Sequence, residues 1–346
     1  MKGRTIILDH IGGREAAARM VDGRLDDLLI DDDSQPRPGA IFRAICDRPL
    51  KGQGGMMVRL PDGQTGFLRQ GKGLRPGQPI LTQVTGYAED GKAVPLTNRI
   101  LFKSRYAIVT PGAPGINLSR QVEDEEERAR ILAIGHAEME GAEHGLILRS
   151  SCDGAGEEEI AEDIAAMLAL AEAVTGDAEG TDPEALTDGD GPHVLAWRDW
   201  TDRAEVVTKP GGFAQLGVLD EIDGIGRAEV PIGEGTMVVE ATRALVAVDV
   251  NTGGDTSPAA ALKANLAAAR ALPRALRLRG LGGQIVVDFA PMSKAHRRQV
   301  EQSLRAAFKS DGIETSLVGW TTMGLFEMQR KRERLPMRSL LATVQE

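Results

Sequence analysis

The sequence predicts a multidomain protein of mixed α+β and α/β class. Three observations predict it. A length of 346 residues, at about 150 residues per domain, leaves room for two or three domains. Between residues 36 and 102, short apolar runs are separated by Pro/Gly/Asp turns, the texture of a small β-barrel. Beyond residue 229, apolar strand-like runs alternate with amphipathic helical patterns, the texture of an α/β layer. With 42% hydrophobic and 27% charged residues the chain is globular in composition, which excludes fibrous, collagen-like and disordered classes.

The elements follow in order. Residues 4–9 read as a strand, followed by a polar hairpin and a second strand at 28–30. In the barrel region the apolar runs are 40–45, 56–60, 66–68 and 80–84, and Leu60-Pro61-Asp62-Gly63 is a tight-turn signal. An oligonucleotide-binding (OB) barrel fits this spacing. A strand at 106–109 ends at Pro111-Gly112. A helix at 123–141, a strand at 145–149 and an Ala/Glu-rich helix at 157–175 come next. In the last of these, Ile160, Ile164, Met167, Leu168 and Ala171 share one face. Residues 175–192 read as a solvated acidic linker, and 194–197 and 205–207 as two short strands. The final region has strands at 236–240, 244–250 and 284–289. One helix opens at Ser257-Pro258, a cap followed by Pro at the first helical position. A second opens after Ser293 and stops at Asp311-Gly312. Its core face is Val300, Leu304, Ala307 and Phe308, and its outer face carries Lys294, Arg297, Arg298, Arg305 and Lys309.

Charge is unevenly placed. The net charge of −10 argues against a generally basic nucleic-acid binder, and 3% aromatics leave few stacking platforms. Yet residues 151–190 hold thirteen acidic side chains and no Lys or Arg, while 260–346 hold fifteen Lys+Arg against seven Asp+Glu, a local net of +8. A basic region of this kind suits a phosphate-rich partner. Cys46 and Cys152 are far apart and form no zinc or disulfide pattern. A reducing cytoplasm is the expected compartment, and the short apolar run at Ile6-Ile7-Leu8 is too short for a signal peptide or membrane span.

Two predicted strands end in acid: Ala-Val-Asp249-Val-Asn251, followed by Thr252-Gly253-Gly254, and Ile-Val-Val-Asp288-Phe. Buried strands joined by a helical crossover run parallel, so their C-terminal ends lie together. Asp249 and Asn251 are two apart and share a face. Two hard carboxylates fit a magnesium ion that keeps several waters. Asn251 could hold one carboxylate or a substrate phosphate in place, and Thr252-Gly253-Gly254 would let a backbone approach a phosphate closely. Strand-end turn acids are the alternative reading of the same residues.

At these residues the chain resembles the ribonuclease E/G family. Ordered blocks carry the resemblance: Ala-Val-Asp249-Val-Asn251-Thr-Gly, Asn265-Leu266, Leu276-Arg277-Leu278-Arg279, Leu281-Gly282-Gly283, Val287-Asp288-Phe289, and Gly324-Leu325-Phe326-Glu327-Met328-Gln329-Arg330-Lys331-Arg332. Weaker collinear matches lie upstream, at Gly66-Phe67-Leu68, Lys92, 106–111 and 145–150.

The resemblance implies an S1-type OB-fold barrel (36–102) inserted in an RNase-H-like domain (1–35 and, with the acidic linker, 181–228). A 5′-sensor region (103–180) and a DNase-I-like α/β catalytic domain (229–346) complete it. It implies a magnesium-dependent endoribonuclease (Mn²⁺ being the other hard cation that fits, and no zinc) acting on single-stranded RNA in rRNA processing or mRNA decay. Asp249 and Asp288 would hold the metal, with Asn251 positioning one of them. Arg149 and Ser150 would sense the RNA 5′-phosphate, with Ile108 lining that pocket, and Phe67 and Lys92 would clamp RNA. Arg277, Arg279, Arg330, Lys331 and Arg332 are the expected contacts to the RNA backbone. The sequence departs from the family pattern at Ser150, Met57, Gly280, Pro273 and Thr322, and Pro273 is expected to kink its helix. The Cys-Pro-x-Cys zinc link is missing, so a zinc-linked dimer is not expected, while a homo-oligomer stays open. A catalytically weak RNA-binding protein that keeps the fold is the competing expectation, and retention of both aspartates argues against it.

Overall fold

The computed structural model describes residues 3–342 apart from 51, 53 and 90. The chain divides into two compact units, Met1–Asp32 with Ala204–Glu346 and Asp33–Arg203. Among the described residues no helix is long and apolar enough to cross a membrane.

The first unit opens with an antiparallel meander of β1 (Arg4–Ile11), β2 (Arg14–Val21) and β3 (Arg24–Ile30). Asp22-Gly23 turns the second hairpin with φ of 49° and 78°, the left-handed pair that a two-residue turn between twisted strands requires.

The second unit begins with a barrel. Its strands are β4 (Ile41–Leu50), β5 (Gly55–Arg59), β6 (Thr65–Leu68), β7 (Pro79–Val84) and β8 (Val94–Thr97). They pair in the order β4-β5-β6-β8-β7, and β7 pairs back onto β4, so the five strands close as the OB-type reading requires. Alternate residues face inward: Met56, Val58, Leu68, Val94 and Leu96 fill the interior. The expected turn at Pro61–Gly63 is present, with Asp62 at φ 54°.

A second sheet in this unit joins β9 (Phe102–Lys103), β10 (Ala107–Thr110), β11 (Gly115–Leu118) and β12 (Gly145–Leu148) in the order β11-β12-β10-β9. Helices α1 (Glu125–Glu138) and α2 (Glu157–Gly176) contribute Ile131, Ile134, Ile160 and Ile164 to its core, against Val109, Leu146 and Leu148. The α1 start is set by Asp124, whose carboxylate accepts the Glu127 N–H.

Two expectations fail here. The acidic segment after α2 is not simply a solvated linker, because β13 (Glu184–Thr187) pairs with β4. Arg43 of β4 holds it, donating to the carbonyls of Asp177, Glu179 and Asp182 and pairing with Glu184. Composition cannot see one arginine collecting three carbonyls. The strand expected at 194–197 is instead helix α3 (Pro192–Asp199). Pro192 sits at its first turn and Pro192 and Ala196 are buried one turn apart, a spacing a short apolar run conceals.

The first unit then resumes. β14 (Glu205–Val207) runs parallel to β1, and α4 (Gly212–Gln215) and α5 (Val218–Ile225) place Phe213, Val218 and Ile222 on that sheet's core. Burial pushes the Asp9 carboxyl up, but the backbone N–H groups of Phe213, His10 and Gly211 outweigh it and hold Asp9 below its usual value.

The last layer is a six-stranded sheet of β15 (Glu229–Ile232), β16 (Gly235–Ala241), β17 (Val246–Asn251), β18 (Gly283–Asp288), β19 (Thr315–Trp320) and β20 (Phe326–Arg330), in the order β15-β16-β17-β18-β20-β19. Helices α6 (Pro258–Leu278) and α7 (Lys294–Lys309) cover one face, and a short α8 (Met337–Ala342) ends the described chain. α6 runs through Pro273 without ending there. The hairpin of β19 and β20 was not expected, since its short runs are interrupted by Gly319 and a polar turn.

Candidate active site

The site grows from strand parity. On β17, Val246, Val248 and Val250 are buried under α6 and α7, so Ala247, Asp249 and Asn251 face the open side. On β18, Ile285 and Val287 are buried, and Val286 and Asp288 face the same open side. The two strands are parallel and joined by α6, as the crossover argument requires. Their register sets Asp249 directly opposite Asp288. Neighbouring strands lie about 4.8 Å apart, so the two carboxylates stand side by side on one face.

Neighbouring groups hold this pair. The Asn251 side-chain N–H₂ donates to Asp249 Oδ2 at 2.8 Å, which leaves the other oxygen free. Asn265, fully buried on α6, donates to the Ala290 carbonyl at 2.9 Å and accepts the Ala290 N–H at 3.0 Å. That reciprocal pair anchors the segment directly after Asp288 to the helix. The role of Asn265 was missed in the sequence, where its only signal is an amide set among alanines in a helical run.

Asp249 and Asp288 line a shallow depression of about 230 Å³ together with Val238, Glu240, Val286 and Leu325. Glu240 was missed. Its place follows from the pairing of β16 with β17, which sets Val238 opposite Asp249 and Glu240 one step along the same face. Thr252-Gly253-Gly254 does not serve as a free backbone approach. Gly253 has φ +76°, and a Cβ on it would lie 2.5 Å from the Glu234 carbonyl oxygen, so the fold itself uses that glycine.

The donor set suits a hard cation. Two carboxylates fit an ion that keeps most of its waters; among the described residues no group of three or more His, Cys, Asp or Glu is gathered that could hold a metal ion. Cys46 and Cys152 are buried, and burial pushes the Cys152 thiol up to about 11, which suits neither a metal thiolate nor a nucleophile at neutral pH.

The basic residues divide sharply. Arg277 and Arg330 are 8% and 2% exposed. Both pair with Asp311, and Arg277 also pairs with Asp26 at 3.1 Å. The expectation that they hold RNA is therefore corrected: their charge is spent inside the protein. Arg279 donates to the carbonyls of Ala275 and Arg227. Lys331 pairs with Glu314 at 2.6 Å, and the half-buried Arg332 guanidinium fills the space over Gly283.

In the second unit, Phe67 stands outside the barrel in register with Met57 and Pro95, all three half-buried. Its ring lies over Gly55, where a Cβ would come within 2.3 Å. Lys92 is exposed and pairs with Glu89 at 2.9 Å. Ile108 pairs with Ile147 across β10 and β12, on the side away from the helices. Arg149 follows β12, and Ser150 opens a turn of 3-10 helix. The Arg149 guanidinium donates to the carbonyls of Ser104 and Arg198 and to Asp199 at 3.0 Å.

The model of the ribonuclease E/G family matches residues 102–209 and 198–333. Ribonuclease G of Escherichia coli (strain K12) is 31% identical over 306 residues, 75% of this chain and 61% of that protein. Ribonuclease E of Nostoc sp. is 30% identical over 302 residues, 75% of this chain and 44% of its own length. Ribonuclease E of Synechocystis sp. is 26% identical over 378 residues, 92% of this chain and 56% of its own. The chain thus spans about three fifths of the length of the ribonuclease G it matches.

Proposed function

Because the chain belongs to the ribonuclease E/G family, we propose that it is a magnesium-dependent endoribonuclease that cleaves single-stranded RNA. The observation that carries this reading is the carboxylate pair: Asp249 and Asp288 are register partners on adjacent parallel strands, exposed on the face opposite α6 and α7. A pure binder has no need of that arrangement.

Asp249 and Asp288 are the residues that would hold the cation, Mg²⁺ or Mn²⁺. A divalent cation there supplies Lewis-acid stabilisation of the charge that builds on a phosphodiester under attack. The chain's own groups do the rest. Asn251 fixes the rotamer of Asp249 by its 2.8 Å hydrogen bond. Asn265 fixes the backbone beyond Asp288. Water is the attacking group and the 5′-phosphate stays on the downstream product. Maturation of ribosomal RNA and decay of messenger RNA are the settings this chemistry serves.

The test is direct. Purified protein and Asp249→Asn are incubated with 5′-monophosphorylated single-stranded RNA, with Mg²⁺ or with EDTA. Cleavage that survives EDTA, or equal cleavage by the variant, overturns the reading.

The barrel and the second sheet contribute binding in this reading. Phe67 offers a π-face for a base, and the exposed Lys92, in the loop before β8, offers a positive charge. Base–aromatic stacking is worth about 1–3 kcal/mol. Phe67→Leu, which still fills the space over Gly55, is expected to weaken RNA binding by about that amount in fluorescence anisotropy; unchanged affinity removes Phe67 from the RNA path. Sensing of a 5′-phosphate falls to Arg149, Ser150 and Ile108. A phosphate reaching Arg149 has to compete with Asp199. Asp199→Asn is therefore expected to raise the preference for 5′-monophosphate over 5′-hydroxyl RNA in competition cleavage. A lowered preference would mean that Asp199 orients Arg149 instead.

A further inference from the structure

The depression that holds Asp249 and Asp288 is lined by carboxylates and apolar side chains, with Glu240 adding a third negative charge. A phosphodiester approaching that face meets repulsion, and the cations expected to offset it are placed elsewhere. Arg277 and Arg330 are buried on Asp311. Lys331 lies six residues beyond Leu325, at the far end of β20, roughly 20 Å away at about 3.3 Å per residue.

One arginine stands at the right end. Arg297, in the first turns of α7, places its guanidinium over the Trp320 ring, 4.7 Å from the centroid. Trp320 pairs with Phe326 in register, and its ring centroid lies 5.8 Å from that of Phe289, the residue after Asp288. The Arg297 guanidinium also passes close to Gly324, where a Cβ would stand 3.3 Å from Nη2. Gly324 precedes Leu325, which lines the depression. Like Arg298 and Arg305, Arg297 makes no side-chain hydrogen bond or ion pair among the described residues, but of the three only Arg297 is stacked on an aromatic ring. It is half-buried, held by stacking, with its fork of N–H donors uncommitted.

We infer that Arg297, held on Trp320, is the phosphate-binding residue of this site and receives an RNA backbone phosphate beside the Asp249–Asp288 pair. The inference rests on the endoribonuclease reading and adds a substrate contact to it. Stacking on an indole orients the planar guanidinium without using its donors, and leaves the bidentate edge for an anion. The contact is to the backbone, so it is independent of base sequence and of the 5′ end. Arg297 was legible in sequence only as one of five outer-face charges on α7; the contact with Trp320 singles it out.

The experiment measures binding rather than turnover. The 346-residue chain carrying Asp249→Asn is titrated onto a 5′-hydroxyl single-stranded RNA, by anisotropy, across a salt series. Adding Arg297→Ala is expected to raise Kd about tenfold and to lower the slope of log Kd against log salt by about 0.7, the loss of one phosphate contact on single-stranded RNA. Arg297→Lys, which keeps the charge but loses the fork, is expected to fall between. Arg305→Ala, two turns further along the exposed side of α7, is expected to leave both quantities unchanged. Should Arg297→Ala lower the melting temperature, Arg297→Gln carries the same test. Unchanged Kd and slope, or an equal loss from Arg305→Ala, overturns the inference and leaves the function reading standing. Failure of the Asp249→Asn protein itself to bind RNA overturns both.

Discussion

Asp249→Asn is expected to lower the rate of RNA cleavage by at least about a thousandfold while leaving the fold intact. The substitution is isosteric and exposed, so it removes charge without opening a cavity. What it removes is one of the two carboxylates proposed to hold the cation, worth several kcal/mol of transition-state stabilisation in that reading, and each 1.4 kcal/mol or so is a factor of ten. Asp288→Asn is expected to match it. The double variant is expected to be little worse than either single one, because the two side chains act as a unit. Asn251→Ala is expected to cost less, about 10- to 100-fold, because it frees the Asp249 rotamer without removing a ligand. Initial rates at saturating RNA, with melting temperatures as the control for folding, decide the matter. Retention of activity in Asp288→Asn would place the chemistry elsewhere on the chain.

Asp311→Ala is expected to be the most destabilising single change in the first unit, at about 3–5 kcal/mol. The Asp311 side chain is 1% exposed and pairs with both Arg277 and Arg330, whose side chains are 9% and 0% exposed. Its removal leaves two guanidinium groups buried with less compensation. They are not equally dependent on it. Burial pushes the Arg330 guanidinium down in spite of Asp311, whereas Arg277 is raised because Asp27, Asp26 and Asp311 together outweigh its burial. Both stay charged at neutral pH. For a unit of this size the loss corresponds to a fall in melting temperature of order 10 °C. Lys331→Ala breaks an ion pair that is more than half exposed on both sides and is expected to change stability by less than about 0.5 kcal/mol. Similar melting temperatures for the two variants would refute the assignment of Arg277 and Arg330 to the interior.

The carboxylate site was legible early because it needs only local rules. Alternation put Asp249 and Asn251 on one face, and a helical crossover made β17 and β18 parallel, so their acidic ends had to meet. The barrel was legible for a similar reason: short alternating runs and turn residues at Pro61-Asp62-Gly63 carry their own conformational preference. The segments that misled were those where a long-range partner outweighs local preference. Arg43 draws the acidic segment into pairing with β4, and a proline start with i,i+4 burial makes a helix of 192–199.

By itself, then, the sequence determined the family, and it determined the face that Asp249, Asn251 and Asp288 each take, because strand periodicity and a helical crossover between parallel strands are properties of the chain. The register that sets Asp249 against Asp288 was decided only in three dimensions, as was the burial of Arg277 and Arg330. The selection of Arg297 by Trp320 was decided there too. The physical reason is common to all three. Periodicity says which way a side chain points, but a charge is directed outward or inward by the partner it meets, and that partner lies tens or hundreds of residues away.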